Sequence, residues 1–408
     1  MTSIKNSFAS PGLKNQRYFW DAYISSLLEK QKKANLFRYC LDLKQGTDLY
    51  IKITNNKLLN LASNNYLGLS NHSELKKAVL EAINQFGVGS GASPLVSGHS
   101  EPLRQLEQEL AQYKETEQAI IFSSGYATNL GLFSALADKH TIVFGDKINH
   151  ASILDGILLS RAKMIRYRHL DTNHLETLLS TYKNNEKKIV VTDTIFSMDG
   201  DLAPLKELVK LKKTYHFLLI VDEAHALGIF GQGKGLTHHY NLHKHIDIQM
   251  GTLSKSLGCQ GGYVCAQKNI ISLLINKARS FIFSTALSPI ICQAALAGLN
   301  LIKNNPSWGE QLLTLSQEIR NFLKELEFNT GSSNSQIIPI ILQDPYITLQ
   351  AHNFLQKQGV FAPAIRPPAV PHGTSRLRIS LRLDLGEKEI KLLKKAFKQL
   401  KLFLQKNF

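Results

Sequence analysis

The hydrophobic pattern of the chain changes several times, and these changes predict its secondary structure. Between residues 119 and 266, short continuous apolar runs alternate with segments of helical spacing. Continuous apolar runs are typical of parallel strands that are covered on both faces. The predicted strands span residues 119–122, 141–144, 164–167, 188–192, 217–221, 246–251 and 261–266. This region therefore predicts an α/β fold with a mainly parallel, seven-stranded sheet.

The segments on either side follow other patterns. Residues 1–60 read as an N-terminal arm, with helical spacing between Tyr18 and Leu28, followed by short strands. Residues 301–408 combine helical stretches at 308–326, 348–357 and 387–406 with strands at 335–342 and 376–381. We therefore predict an arm over residues 1–60, a large sheet domain over 61–300 and a smaller α+β C-terminal domain over 301–408.

Composition narrows the class of protein. With 408 residues, 43% apolar and 20% charged, the chain is typical of a globular protein with a large core. Its four cysteines form no C-x-x-C pair, which favours reduced thiols and a cytoplasmic location. The N-terminus lacks the apolar region of a secretory signal, and the most apolar stretch is too short to cross a bilayer. Membrane insertion is therefore not expected.

The formal net charge of +16 leaves several partners open. It suits nucleic acid, an anionic membrane or an acidic partner protein, but the lysines are scattered rather than clustered. We favour compositional bias that also attracts anionic substrates. The sequence Asp222-Glu-Ala-His is similar to a helicase motif, yet no G-x-x-x-x-G-K-[ST] phosphate loop precedes it. Nucleic-acid binding is therefore not expected.

Two polar residues that could take part in catalysis follow neighbouring predicted strands. Asp222 ends the strand before it, with His225 three residues later, and Lys255 stands among small residues in Gly251-Thr-Leu-Ser-Lys-Ser-Leu-Gly. Ligands of open parallel sheets bind at the carboxyl ends of the strands. Taken singly, Asp222 is as well explained by a helix cap, and Lys255 by an exposed loop.

Further candidates lie at other strand ends. Gly125 and Tyr126 form a turn that opens a helix, where backbone amides bind phosphate, and Thr252 offers a hydroxyl. His150 and Ser197 each follow a strand.

Together these residues meet the needs of one cofactor, pyridoxal 5'-phosphate (PLP). PLP requires an amine for a Schiff base, a carboxylate for its ring nitrogen, a phosphate site and a flat group against the ring. We predict no metal site.

The same stretches resemble those of the α-oxoamine synthases, a family of fold-type I PLP-dependent transferases, over nearly the whole chain. The matching motifs are Asn64-Asn-Tyr-Leu-Gly-Leu, Gly89-Ser-Gly-Ala-Ser, Ser97-Gly-His-Ser, Ser124-Gly-Tyr, Asn149-His-Ala-Ser, Phe196-Ser-Met-Asp-Gly-Asp-Leu-Ala-Pro-Leu, Asp222-Glu-Ala-His, Gly251-Thr-Leu-Ser-Lys, Phe283-Ser-Thr and Arg376-Leu-Arg-Ile-Ser.

The resemblance implies a role for each candidate. Lys255 would hold the cofactor and move the Cα proton, Asp222 would pair with the ring nitrogen, and His225 and Ser197 would bond the phenolic oxygen. His150 would stack on the ring and help to hold the acyl substrate. Phosphate would be bound by Thr252, Gly125 and Tyr126, and by Ser284 and Thr285 reaching across from the second subunit of a homodimer.

The C-terminal stretch Ala364-Ile-Arg-Pro-Pro-Ala-Val-Pro-His-Gly-Thr is similar to that of the family member in biotin biosynthesis. This implies decarboxylative condensation of L-alanine with pimeloyl-CoA or a pimeloyl-acyl carrier protein to give 8-amino-7-oxononanoate. Arg366 would bind the amino-acid carboxylate, and Arg38 would contact substrate. Ala369 stands where the family usually has threonine, and Pro94 and Leu103 also depart from its pattern. A sister activity with glycine or serine and another acyl thioester therefore stays open.

The C-terminal helical stretch allows a further alternative. It places Ile390, Leu393, Phe397, Leu400 and Leu404 on one face and lysines on the other. Such a helix could anchor to a membrane or a partner, but packing against the small domain is the simpler reading, and we favour it. A basic surface would also suit an acidic acyl carrier protein.

Overall fold

The computed structural model describes residues 11–44, 48–53, 55–183 and 186–408, with side chains from residue 18 onward. The first ten residues of the predicted arm lie outside this part. The strands are β1 (Tyr50–Ile53), β2 (Asn56–Asn60), β3 (Gln118–Phe122), β4 (Thr141–Asp146), β5 (Lys163–Tyr167), β6 (Lys187–Asp193), β7 (Leu218–Asp222), β8 (Ile248–Thr252), β9 (Gly262–Ala266), β10 (Ile337–Gln343), β11 (Val360–Phe361), β12 (Ala364–Ile365) and β13 (Ser375–Ser380).

The α-helices alternate with these strands through most of the chain. They are α1 (Pro11–Lys33), α2 (Ser73–Phe86), α3 (Glu101–Tyr113), α4 (Gly125–Leu136), α5 (Ala151–Ser160), α6 (Thr172–Ser180), α7 (Leu205–Tyr215), α8 (Leu236–His239), α9 (Lys268–Lys277), α10 (Arg279–Ile282), α11 (Pro289–Asn304), α12 (Trp308–Glu325), α13 (Pro345–Lys357) and α14 (Glu387–Asn407).

Seven strands form the central sheet, in the order β3-β9-β8-β7-β6-β4-β5. β9 runs antiparallel to both of its neighbours, and the other neighbouring pairs are parallel. The predicted mainly parallel, seven-stranded sheet is confirmed, and each predicted strand agrees with the observed one to within two residues at either end.

Apolar side chains cover both faces of this sheet, as the continuous apolar runs predict. Phe144, Val190 and Leu219 belong to one buried cluster, whereas their chain neighbours Val143, Val191 and Ile220 belong to another. Because successive side chains of a strand point to opposite faces, two layers of helices are needed to bury them. The sheet is therefore rigid, and its strand ends hold side chains in defined positions.

The C-terminal part carries its own small sheet, in the order β10-β13-β12. The face of α14 that bears Leu393, Phe397 and Leu400 is buried in the main core, so the simpler reading of this helix is confirmed. β1 and β2 pair with each other, and β2 also pairs with β11. The N-terminal strands thus pack with the C-terminal part, and the boundaries at residues 60 and 300 stay a prediction.

One helix is poorly covered. From Tyr18 onward, where the structure describes its side chains, α1 exposes its apolar residues, whereas the other long helices bury an apolar face. In the described ranges, none of the helices combines the length and the apolar character needed to cross a bilayer.

Candidate active site

The predicted carboxylate and the predicted lysine lie at the same edge of the central sheet. β7 ends at Asp222, and β8 ends at Thr252, three residues before Lys255. The two strands are parallel neighbours, with Asp222 in register with Met250. Their carboxyl ends therefore open at one edge, which is where parallel sheets bind ligands.

His225 connects Lys255 to the core of the fold. Its Nε2 lies 2.7 Å from Lys255 Nζ, and its Nδ1 lies 2.6 Å from the hydroxyl of Tyr66. Tyr66 donates its single proton to Asn64 Oδ1, at 3.1 Å. Its oxygen therefore accepts from the Nδ1–H of His225. This arrangement leaves the lone pair of Nε2 to accept a hydrogen bond from Lys255.

Burial governs the protonation of this pair. It lowers the pKa of Lys255 to about 8, although the Asp222 carboxylate opposes the shift. Burial, assisted by the charge on Lys255, also holds the pKa of His225 well below its usual range. The imidazole is therefore neutral, and the lysine amine loses its proton more readily than a surface lysine does. A lysine in this state is an activated nucleophile.

Asp222 is oriented by two donors. Asn129 Nδ2 donates to Oδ2 at 3.1 Å, and the backbone N–H of Ala224 donates to Oδ1 at 2.9 Å. Asp193 is its register partner on β6 and is also buried. Burial and the neighbouring Asp222 charge raise the pKa of Asp193 well above its usual range. Asp193 therefore takes up a proton more readily than an ordinary carboxyl group does.

His150 stands immediately before α5 and is accessible at this edge. Its backbone N–H donates to Asp193 Oδ2 at 2.8 Å, and its Nδ1 lies 2.8 Å from Ser152 Oγ. Partial burial lowers the pKa of His150, with the Asp222 carboxylate opposing the shift. The ring is thus neutral and held within the electrostatic reach of the Asp222 site.

The start of α4 lies close beside the end of β8. A Cβ added to Gly125 would lie 3.4 Å from the Thr252 Cβ, and one added to Gly262 would lie 2.7 Å from the Gly125 Cα. These glycines let the helix start approach the strand ends closely. Thr252 Oγ1 lies 2.8 Å from Ser254 Oγ and donates to the carbonyl of Gly261. The amides of Gly125 and Tyr126 belong to the first helical turn, which favours anions.

Ser197 is joined to the small domain through its backbone. Arg378 Nε donates to the Ser197 carbonyl at 2.5 Å. The same guanidinium donates to Asn64 Oδ1 at 3.0 Å and to Ser380 Oγ at 2.6 Å. β13 is therefore tied to the segment after β6, and Ser197 lies between the two domains.

Arg38 and Arg366 form a second group, where the N-terminal arm crosses the C-terminal part. Arg38 donates to the carbonyls of Arg366 and Pro367, and Arg366 donates to those of Asn35 and Phe37. Arg366 is 8% exposed, and among the described residues its buried Nε has no hydrogen-bond partner. Ala369 is exposed nearby, and its N–H donates to the Arg366 carbonyl at 3.1 Å. Arg366 therefore keeps an unused donor.

Ser284 and Thr285 are not brought to the lysine. They lie in the segment between α10 and α11, where Phe283 is 71% exposed. Within the described part of the chain, no hydrogen bond joins either residue to Lys255, His225 or Asp222. Thr285 is exposed and Ser284 is partly exposed, and their role at the phosphate stays a prediction.

Four residues of the site were given no role from the sequence. Tyr66 and Arg378 lie in matched motifs, but their contacts join segments more than one hundred and fifty residues apart. Asn129 and Asp193 are buried polar residues within regular elements, where polarity alone does not indicate a contact. The asparagine one helical turn after Gly125 was the available sequence signal for Asn129.

PLP fits this set of groups. Lys255 supplies an amine with a lowered pKa, Asp222 supplies a buried carboxylate, and Gly125 lets the first turn of α4 lie against Thr252. These are the amine, the counter-charge and the phosphate site that the cofactor requires.

Comparison with known proteins agrees with the geometry. Residues 56–395 match the model of the aminotransferase class I and II family. The 8-amino-7-oxononanoate synthase of Geobacter sulfurreducens is 42% identical over 370 residues, or 90% of this chain and 95% of the relative. The serine palmitoyltransferase of S. paucimobilis, solved with PLP bound, has a TM-score of 0.89 at 29% identity and covers 95% of this chain and 98% of its own.

A solved 8-amino-7-oxononanoate synthase from Francisella tularensis has a TM-score of 0.73 at 29% identity, covering 85% of this chain and 99% of its own. The matched family, the relatives and the site geometry agree on one cofactor and one type of fold. The chain belongs to the aminotransferase class I and II family and, within it, to the PLP-dependent α-oxoamine synthases.

Proposed function

We propose that the protein joins L-alanine to a pimeloyl thioester, giving 8-amino-7-oxononanoate, carbon dioxide and free thiol. The observation that carries the proposal is the Asp222–His225–Lys255 group at the sheet edge of a chain that is 42% identical to an 8-amino-7-oxononanoate synthase. When bound, PLP supplies an electron sink for the charge that develops at the amino acid Cα.

Lys255 is the proposed base. Its amine holds the cofactor before substrate arrives and then takes the Cα proton of alanine at Nζ. His225 Nε2, at 2.7 Å, orients this nitrogen and stays neutral, so that it can accept a hydrogen bond. Ser197 and His225 are proposed to bind the phenolic oxygen, and His150 to cover the ring and hold the acyl substrate.

Asp222 is the proposed partner of the ring nitrogen. Asn129 and the Ala224 amide hold its two oxygens, so the carboxylate keeps one orientation through the reaction. The amides of Gly125 and Tyr126 and the Thr252 hydroxyl are proposed to bind the phosphate.

Arg366 is the proposed anchor for the alanine carboxylate. Its Nε is buried without a partner in the described residues, and such a donor costs free energy until an acceptor reaches it. A carboxylate can satisfy Nε together with a terminal nitrogen. Arg38 holds the turn that carries Arg366, and Ala369 lines the substrate side.

The active form is proposed to be a homodimer. Along α1, Tyr18, Phe19 and Trp20 are between 57% and 72% exposed, and Phe283 is 71% exposed. Exposed apolar side chains grouped in this way on α1 are typical of an interface between subunits. The dimer would bring Ser284 and Thr285 of one subunit to the phosphate of the other. A cytoplasmic location and the choice between coenzyme A and an acyl carrier protein stay predictions.

The test is a matrix of substrates. Purified holoenzyme is incubated with L-alanine, glycine or L-serine and with pimeloyl-, acetyl- or palmitoyl-CoA, and products are identified by mass spectrometry. We expect alanine with pimeloyl-CoA to give the highest kcat/KM, and Lys255→Ala to lose turnover while Lys277→Ala keeps it. A preference for serine with palmitoyl-CoA would assign the sister activity instead.

A further inference from the structure

A cluster of histidines lies outside the candidate active site, in residues 238–245. Four histidines occur between residues 238 and 245, at 238, 239, 243 and 245. His238 and His243 stack with ring centroids 4.2 Å apart and planes 5° apart. Glu115, just after α3, lies against both: its Oε2 is 3.1 Å from His243 Nε2, and its Oε1 is 4.0 Å from His238 Nε2. One ligand atom from each residue lies within 4.8 Å of the others.

The tautomer of His238 follows from its neighbours. The Thr237 hydroxyl donates to Gln249 Oε1, and its oxygen lies 3.3 Å from His238 Nδ1. The hydroxyl has one proton, so His238 Nδ1 carries the proton that Thr237 accepts. His238 Nε2 therefore carries a lone pair instead of a proton. It faces the Glu115 carboxylate, which is also a hydrogen-bond acceptor.

The lone pair of His238 Nε2 is left without a donor in the part of the chain that the structure describes. His238 is 9% exposed, and its Nε2 has no hydrogen-bond partner among the described residues. A buried lone pair without a donor is unfavourable, and a cation held beside the Glu115 carboxylate would satisfy it.

We propose that Glu115, His238 and His243 bind a divalent transition-metal ion, with Zn²⁺ the best match. Two imidazoles and one carboxylate with an open fourth position form a known type of zinc site. Ligand atoms in a tetrahedral zinc site are about 3.3 Å apart, whereas here they lie within 4.8 Å of one another. Binding therefore requires the two stacked imidazoles to rotate toward the ion and the longer separations to close by at most about 1.5 Å. The adjoining cleft, lined by Gln232, His239 and Glu310, leaves room for a water ligand. This site is independent of the proposed function.

One neighbouring residue supports metal binding at the proposed site, and another competes with it. The Thr237 contact orients His238 in the way that outer partners orient metal ligands. Lys234 Nζ lies 2.6 Å from Glu115 Oε1 and competes for the same carboxylate. The Lys234 side chain is 34% exposed and can move into solvent when the metal binds.

A bound metal would brace the loop that supports Asp222. Lys114, adjacent to Glu115, forms a fully buried ion pair with Glu223 and also donates to the Lys234 carbonyl. Glu223 in turn accepts the N–H of Thr237 at 2.9 Å. The metal would thus join the end of α3 to the 231–245 segment. Both parts contact Glu223, the residue next to Asp222.

The test is calorimetric titration of chelator-treated holoenzyme with Zn²⁺. Wild type and the exposed control His245→Gln are expected to bind one equivalent per chain with the same affinity. His243→Gln and Glu115→Gln are expected to bind at least about tenfold more weakly. Lys234→Met removes the competing cation and is expected to bind more tightly.

Spectroscopy and stability supply independent readouts. Co²⁺ in place of Zn²⁺ is expected to give the intense visible bands of a tetrahedral site in wild type and His245→Gln, but not in His243→Gln. Zn²⁺ should raise the melting temperature of the same two proteins. Equal Zn²⁺ affinity in His243→Gln, Glu115→Gln and the control would overturn the proposal, as would less than one equivalent in wild type. Matching metal-free melting temperatures establish that each variant is folded.

Discussion

Arg366 is the residue whose contacts most directly suggest substrate binding. Its terminal nitrogens donate to arm carbonyls, whereas its buried Nε remains without a partner in the described part of the chain. A lysine at this position keeps the charge but has neither the planar fork nor an Nε donor. The site therefore depends on the geometry of arginine rather than on charge alone.

We expect Arg366→Lys to raise KM for L-alanine about tenfold or more, because the two-point contact to the carboxylate is lost. The KM for pimeloyl-CoA should change little, and the surface control Arg168→Lys, whose side chain is 68% exposed, should match wild type in steady-state kinetics. An unchanged alanine KM would show that another residue binds the carboxylate.

Asn129 acts through Asp222. Replacing it by alanine removes one hydrogen bond to a buried carboxylate, which is worth about 1.5–3 kcal/mol. We expect Asn129→Ala to lower kcat about 10- to 100-fold with little change in either KM. Ser134→Ala, on the same helix, serves as the control. A purely structural role for Asn129 would lower the melting temperature and leave the kcat of the folded enzyme unchanged.

The sequence predicted the position of those site residues that lie at or shortly after a strand end. Asp222 ends β7, Lys255 follows β8 by three residues and His150 follows β4 by four, so the hydrophobic pattern predicts that they lie near one edge of the sheet. Tyr66 and Asn129 contact the site through packing between distant segments, and no local pattern reports that packing. The partner of a buried polar group is a property of tertiary structure.

At the scale of elements, His169 joins three segments. It lies after β5, with Nδ1 3.0 Å from Asp146 at the end of β4 and Nε2 3.0 Å from Asp201. Burial opposes a charged imidazole here, but the hydrogen bonds to the two carboxylates prevail and raise the pKa of His169 to about 9. The charged histidine therefore stabilises the ends of these strands.

The sign of the pH dependence follows from this raised pKa. The stabilisation is fully present below the unfolded pKa of about 6.5 and is lost as the pH rises through about 9. We expect His169→Gln to lower the free energy of unfolding by about 1–2 kcal/mol near pH 6, since partial exposure screens the pairs. Urea unfolding of the variant, wild type and the exposed control His140→Gln measures this difference. A deficit that grows toward high pH would contradict the assignment.

The elements themselves were largely predictable. The strands of the central sheet are continuous apolar runs bounded by polar turns, and their ends were located to within two residues. The two-residue strands β11 and β12 were missed because so short a strand shows no alternation of hydrophobic and polar residues in the sequence. β11 is defined by its contact with β2, some three hundred residues away.

At the scale of the whole molecule, a single subunit does not explain why the apolar side chains of α1 are exposed. Phe19 and Tyr23 stack at 6.5 Å on a helix whose described side chains are nearly all exposed. A helix of this kind needs a covering surface to be stable. The proposed homodimer supplies one.

We expect Trp20→Glu to shift the protein from dimer toward monomer, because it places a charge in an apolar interface. Turnover should fall with the dimer fraction, since Ser284 and Thr285 are expected to act across the interface. Sedimentation velocity at several concentrations, with Lys30→Glu on the same helix as control, measures the shift. A fully dimeric Trp20→Glu protein, or a monomer with full activity, would contradict this assembly.

The most direct test of the account follows the carbon that the reaction must release. Holoenzyme is given L-alanine labelled with ¹³C in its carboxyl group together with pimeloyl-CoA, and labelled carbon dioxide, free coenzyme A and 8-amino-7-oxononanoate are quantified in one sample. The account predicts that the three appear in equal amounts, only when both substrates are present, and not with Lys255→Ala. Labelled carbon dioxide without pimeloyl-CoA, or coenzyme A release without 8-amino-7-oxononanoate, would contradict it.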